Sequence, residues 1–309
     1  MSNALELHKV VKFYGRRQAL AGLDLQVPAG SIFGLIGSNG AGKTTAMAAT
    51  VGLLQISSGN INLLNEGPFD PAKHTGRVSL LPQDSRLPLH SQVEDLLIFY
   101  GQLQGLSEGV LKESIDNVLD WVHLQDRRHS PVRTLSHGMM RRLTIAQAFL
   151  GHPELVLLDE PMSGLDPREA SRIRHILLRR RGMQTIVISS HNLHELETLC
   201  DRAAFIEHGN LLRQDTMDNI VKRGHSVTFR LRPGKLPMQD LQKCLPEAGF
   251  DAPEDGSLLS VRFHGDVEAI PEMNAVILEI LLKNNIGIVE VRRGSDLESE
   301  YLAATEPSA

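Results

Sequence analysis

Gly37-Ser38-Asn39-Gly40-Ala41-Gly42-Lys43-Thr44-Thr45 decides how this chain reads. The stretch fits the pattern Gly-x4-Gly-Lys-Ser/Thr, and its flanks are the ones that pattern requires. The apolar run Ile32-Phe33-Gly34-Leu35-Ile36 reads as a buried strand leading in, and residues 45–53 read as a helix leading out. Glycines let backbone N–H groups turn inward around an anion, and a helix N-terminus adds the positive end of its dipole. Lys43 can then reach terminal phosphates, and the Thr44 hydroxyl can take a place on a bound Mg2+. The expectation is a site for a nucleoside triphosphate.

Composition narrows the setting of that site. A chain of 309 residues holds one large domain or two ordinary ones, and an apolar fraction of 41% supports a well-buried core. The formal charge of −5 gives no basic footprint, so nucleic acid is not an expected partner. Cys200 and Cys244 have neither metal-like nor redox spacing, which fits a reduced cytosolic setting. Met1–Val10 lacks the apolar core of a signal peptide. The apolar stretch Ala275–Leu282 is short and broken by Glu279, and no segment approaches the ~18–20 residues that span a bilayer. Any membrane work then falls to a partner chain.

Periodicity outlines an α/β fold. Leu5–Phe13, Ala19–Val27 and Ser31–Ile36 read as strands, as do Ile61–Leu64 and Arg77–Leu81. A helical block follows, opened by a capping box at Ser91-Gln92-Val93-Glu94 and continued by apolar residues at helical spacing over 108–124 and a helix from Ser136 to Leu150. Leu155–Leu158, Thr185–Ser189 and 203–207 are strands alternating with helices after Asp166-Pro167 and over 192–200, an order that calls for a parallel sheet covered by helices. After Gly224 the texture changes to a small α+β unit. The expected organisation is a nucleotide-binding domain over 1–224, with its helical part at about 84–152, and an accessory domain over 225–309.

A phosphate loop needs a metal partner and a group to organise the attacking water. Leu155-Val156-Leu157-Leu158-Asp159-Glu160 supplies both types of group. An acid at the end of a buried strand beside the loop strand can hold Mg2+ directly or through water, which assigns Asp159. Glu160, one residue on, is placed to orient or deprotonate water in line with the γ-phosphate.

Leu135-Ser136-His137-Gly138-Met139 resembles the signature motif of ATP-binding-cassette ATPases, whose common form is Leu-Ser-Gly-Gly-Gln. Other elements match that family in order: Tyr14 at the adenine-stacking position, Gln83 at the Q-loop, Ser163-Gly164-Leu165-Asp166 at the D-loop, and His191 at the switch histidine. The resemblance covers about residues 4–223. It implies the phosphate-loop ATPase fold of that family, with a parallel core, an antiparallel β subdomain and a helical subdomain. It also implies that Tyr14 stacks on adenine and that Gln83 contacts Mg2+ and the attacking water. His191 would bond the γ-phosphate or hold Glu160, Ser136 and Gly138 would serve a phosphate bound to the opposite subunit of a head-to-tail dimer, and Asp166 would count among the nucleotide-binding residues. His137 and Met139 depart from the common signature, whereas Ser136 and Gly138 are intact. The neighbouring Arg141-Arg142 pair is expected to be exposed or locally paired. His191 and His194 do not match His-Glu-x-x-His, so no metal site is expected there.

The resemblance therefore implies an ATP- and Mg2+-using ATPase subunit of a membrane transporter, peripheral on the cytoplasmic face. It would work as a homodimer or with a second cassette chain, beside separate membrane-spanning subunits. The ending Gly294-Ser295-Asp296-Leu297-Glu298-Ser299-Glu300-Tyr301-Leu302 is similar to the tails of two-component exporter subunits, which favours export over import. The alternative is a soluble or regulatory cassette ATPase not coupled to transport.

Overall fold

The computed structural model describes residues 2–221, 226–263, 270–294 and 297–305, and the chain divides into two compact units, Met1–Asp215 and Thr216–Ala309. The expected boundary at 224/225, residues 295–296 of the exporter-like ending and the last four residues lie outside the described residues.

The first unit opens with a long hairpin, β1 (Asn3–Tyr14) and β2 (Arg17–Pro28), antiparallel throughout their pairing. The chain then runs through β3 (Ile32–Ile36), α1 (Lys43–Thr50), β4 (Ser58–Leu63), α2 (Pro71–His74) and β5 (Val78–Leu81). The helical block holds α3 (Val93–Leu103), α4 (Glu108–Trp121) and α5 (His137–Ala148). It is followed by β6 (Leu155–Asp159), α6 (Pro167–Leu178), β7 (Thr185–Ser190), α7 (Leu193–Leu199), β8 (Arg202–Glu207) and β9 (Asn210–Thr216). β2, β1 and β4 form a three-stranded sheet, while β5, β6, β7, β3, β8 and β9 form a six-stranded one in that order. The pairings from β5 to β8 are parallel. Every residue of β3, β6 and β7 is buried, as strands covered on both faces require.

Two sequence expectations change here. The acid-bearing strand does not lie beside the loop strand, because β7 sits between β3 and β6. Their ends nonetheless stay level, with Ile36 in register with Ser190 and Asp159 with Ser189. The capping box also fails. α3 begins at Val93 with Gln92 as its N-cap, and no side chain caps it. The Val93 and Glu94 N–H groups donate instead to the carbonyls of Ser130 and Arg128, at 3.1 and 3.0 Å. A distant backbone segment thus satisfies the donors that Ser91 was expected to take.

The second unit starts with α8 (Met217–Ile220) and continues with β10 (Ser226–Leu231), α9 (Met238–Cys244), β11 (Gly249–Asp251), β12 (Leu258–Arg262), α10 (Ile270–Lys283), β13 (Ile288–Arg293) and α11 (Leu297–Thr305). Its sheet has the order β11-β12-β10-β13 and is antiparallel at each pairing. Val227, Phe229 and Leu231 of β10 pack with Leu241 of α9 and with Ile277 and Leu281 of α10 in a core of its own. The strands β9 and β11 carried no clear sequence signal, being polar and three residues long respectively.

Candidate active site

The loop from Ile36 to Lys43 is shaped by close backbone approaches. A Cβ on Gly37 would lie 2.2 Å from the Ile206 carbonyl oxygen, and Gly42, at φ +112°, would place one 2.8 Å from that of Ala19. Only glycine satisfies both positions. Gly42 is the N-cap of α1, which has no side-chain cap and no acid in its first turn, so its N-terminal donors are left for an anion.

Lys43 is buried, and its ammonium group folds back onto the loop, donating to the carbonyls of Gly37 (2.7 Å) and Ser38 (3.1 Å). Burial pulls the Lys43 pKa below the usual lysine value, and the negative charges of Glu160, Asp159 and Glu207 oppose that shift. Glu207, at the end of β8, was not anticipated. Its carboxylate accepts the Ser38 hydroxyl at 2.5 Å and the Ser38 N–H at 3.4 Å.

At the end of β6, the Thr44 hydroxyl donates to Asp159 Oδ2 at 2.6 Å. Ser189 of the intervening strand donates to Asp159 Oδ1, and its oxygen accepts the Glu160 N–H at 2.9 Å. Ser189 therefore orients both acids, a role that a serine within an apolar strand does not announce. Glu160 is buried with φ +49°, a left-handed conformation that costs a non-glycine residue about 1–2 kcal/mol. Its Oε2 lies 2.9 Å from His191 Nδ1, so the two expected partners meet.

Arg141 completes this corner, and the Arg141-Arg142 pair, expected to be exposed or locally paired, instead reaches partners 19–20 positions away. Its guanidinium donates to the carbonyls of Glu160 (2.6 Å), Pro161 (2.7 Å) and Gln83 (3.4 Å). Burial lowers its pKa, against the opposing charges of Asp159 and Glu160. Arg142 is buried too, donating to the Val122 and His123 carbonyls just past α4 and lying 3.2 Å from Glu169. Carbonyls at a helix C-terminus attract such a cation.

Tyr14, Asn39, Gly40, Gly42, Lys43, Thr44, Thr45, Gln83, Asp159 and Glu160 line one cleft of about 500 Å³, with Arg17 and Ala19 as additions the sequence did not mark. Gly37, Ser38 and Ala41 belong to the same loop, and His191 joins through Glu160. Ser136, Gly138 and Asp166 do not line this cleft. Ser136 caps α5 by accepting the Met139 N–H, and Asp166 caps α6 by accepting those of Arg168 and Glu169. Gly138 abuts Glu169, where a Cβ would lie 2.7–2.8 Å from the side chain. His137 lines a second cleft of about 450 Å³ together with Gln83, Arg141 and Glu160.

The oxygens of Thr44, Asp159 and Gln83 form the donor set that a hard, oxygen-seeking cation takes. Among the described residues no cluster of three or more His, Cys, Asp or Glu side chains could hold a metal by itself. A cation at Asp159 would therefore depend on phosphate oxygens as well.

The family of ABC transporters matches residues 20–163. The chain is 32% identical to an uncharacterised ABC transporter ATP-binding protein, YhcH, of Bacillus subtilis, over 99% of this chain and 97% of that one. It is 30% identical to the bacitracin transport ATP-binding protein BcrA of Bacillus licheniformis, over 97% and 96%. The Nod factor export ATP-binding protein I of Cupriavidus pinatubonensis is 37% identical over 70% of this chain and 67% of its own. Among solved structures, cbiO1 from Clostridium perfringens superposes with a TM-score of 0.64 at 26% identity, covering 71% of this chain and 91% of that one.

Proposed function

The chain belongs to the family of ABC transporter ATP-binding proteins and is an ATPase, and from that premise we propose that it powers an exporter through ATP-driven closure of two cassettes. The observation that carries the export reading is the similarity to the Nod factor export ATP-binding protein I, 37% identical over 70% of this chain. BcrA, named for bacitracin transport and similar along almost the whole of both chains, and LnrL of Bacillus subtilis, named for linearmycin resistance and 33% identical over 71% of each chain, support a transporter subunit. No described helix is long and apolar enough to cross a membrane, so separate subunits would form the path and this chain would sit against their cytoplasmic face.

In this reading the Gly37–Thr45 loop and the α1 N-terminus hold the phosphates, and Lys43 leaves its two loop carbonyls to meet the terminal ones. Tyr14, 46% exposed at the hairpin tip, offers its ring to adenine. Thr44, Asp159 and Gln83 would hold Mg2+, which supplies charge neutralisation of the phosphates when bound. Glu160 accepts the proton of the attacking water, and His191 steadies that carboxylate. Ser136, Gly138 and Asp166, outside the cleft of their own chain, would serve the nucleotide of a second cassette.

Sedimentation of Glu160→Gln protein with Mg-ATP, with ADP and without nucleotide tests the closure. ATP but not ADP should shift the protein to dimers beyond any seen without nucleotide, and Ser136→Arg should block that shift while sparing nucleotide binding. A Glu160→Gln protein that stays monomeric under saturating Mg-ATP would refute the cassette closure. Export is tested by co-expression with candidate membrane-spanning subunits, scored as efflux that requires Lys43.

A further inference from the structure

The sheet of the second unit ends on β13, which pairs with β10 on one side and lies at the edge of the strand order on the other. An edge strand presents a row of N–H and C=O groups to any strand that can match it. Val289 and Val291 are 59% and 44% exposed on this one.

The backbone directions follow from the pairing. Gly294 N–H donates to the Ser226 carbonyl at 2.7 Å, and Arg292 is in register with Thr228. Alternation along an antiparallel ladder then turns the amides of Arg292 and Glu290 toward β10 and those of Val291 and Arg293 outward. Two β13 strands meeting antiparallel about Val291 would place outward groups opposite outward groups, with Val291 facing its own copy.

In that register Glu290 lies opposite Arg292 of the second copy, twice by symmetry. The two neighbouring registers with the same hydrogen-bond parity, centred on Glu290 or on Arg292, would set Glu290 against Glu290 or Arg292 against Arg292. Like charges directly opposite each other destabilise a strand pair. The side chain of Glu290 already lies 3.7 Å from Arg230 on the same sheet face, so the pairing would extend an alternating row of charges across the new seam.

We infer that β13 is an interface for a second copy of this chain, joined edge to edge and antiparallel about Val291. The charges that admit this register turn away strands of other sequence, as edge charges generally do. A seam of at most six residues is small beside the ~1,200 Å² of a stable interface, so the contact is weak and short-lived, and a covalent trap reads it. It needs no nucleotide and stands apart from the ATP-driven closure proposed above.

Cysteine cross-linking of the full chain tests it without nucleotide. Opposed residues in a hydrogen-bonded antiparallel pair have Cα atoms about 5.5 Å apart, within disulfide reach. In a Cys244→Ser background, Val291→Cys should form a disulfide dimer at least ~10-fold faster than Cys placed at the exposed Leu53 of the first unit. Adding Glu290→Arg or Arg292→Glu should slow it, and adding both should restore it. Hydrogen exchange of wild-type protein should show protection of the Val291 and Arg293 amides that grows with concentration. A Val291→Cys rate equal to that at Leu53, single reversals without effect, or a double reversal that fails to restore the rate overturns the inference. Loss of the ATP-driven dimer in Glu160→Gln protein would leave this result untouched, so the two failures are distinguishable.

Discussion

Arg141 Nη2 donates to the backbone carbonyl of Glu160 across 2.6 Å, so a cation on α5 ties down the peptide of a buried acid in its left-handed conformation. The same guanidinium reaches Gln83, which makes one side chain common to α5, the end of β6 and the segment after β5. Arg141→Gln should lower kcat by roughly tenfold or more while leaving ATP affinity within about threefold, since a charge-assisted hydrogen bond contributes about 1.5–3 kcal/mol. Arg141→Lys should restore part of the rate. Equal losses in affinity and turnover would mean that Arg141 only supports the fold.

Lys43→Ala should abolish hydrolysis and weaken ATP binding strongly. The substitution removes the cation that faces Asp159, Glu160 and Glu207, so a polyphosphate would enter a site with uncompensated negative charge. Isothermal titration with ATP and a phosphate-release assay check both halves, and near-normal turnover would refute the loop assignment.

Glu160→Gln should leave ATP affinity intact and slow single-turnover hydrolysis by a factor of ~100 or more, the range for losing a general base. His191→Ala should have a smaller effect in the same direction, because His191 acts on the chemistry through its 2.9 Å contact with Glu160. If the histidine variant proves the slower of the two, the base lies elsewhere.

Restoring the common signature with His137→Gly and Met139→Gln should change turnover by less than about tenfold, or ~1.4 kcal/mol. Ser136 bonds the backbone N–H of residue 139, and that bond survives any side chain there.

Gly138→Ala should destabilise the protein by about 1–3 kcal/mol, the usual cost of overpacking. The new methyl would meet Glu169 at 2.7–2.8 Å, and that side chain cannot simply swing away because Arg142 and Arg172 both pair with it. Thermal unfolding checks this, and an unchanged melting temperature would show that the Glu169 arrangement is soft.

The glycine-rich turn between β3 and α1, the Asp159–Glu160 pair at the end of a buried strand and the α/β alternation were legible in the sequence alone. Each is a contiguous stretch whose residue types carry its chemistry: glycines for inward N–H groups, a lysine for phosphate, acids after an unbroken apolar run. Tertiary structure decided the rest. It inserted β7 between β3 and β6, which made Ser189 the residue that orients both acids. It brought Glu207 onto Ser38 across 169 positions of chain, and Arg141 onto the carbonyls of Gln83, Glu160 and Pro161. It also supplied the first donors of α3 with acceptors from residues 128 and 130 in place of Ser91. The physical reason is common to these cases. Backbone carbonyls and strand order leave no mark on residue identity, so a side chain that serves them looks like an ordinary surface arginine, serine or glutamate until the chain has folded.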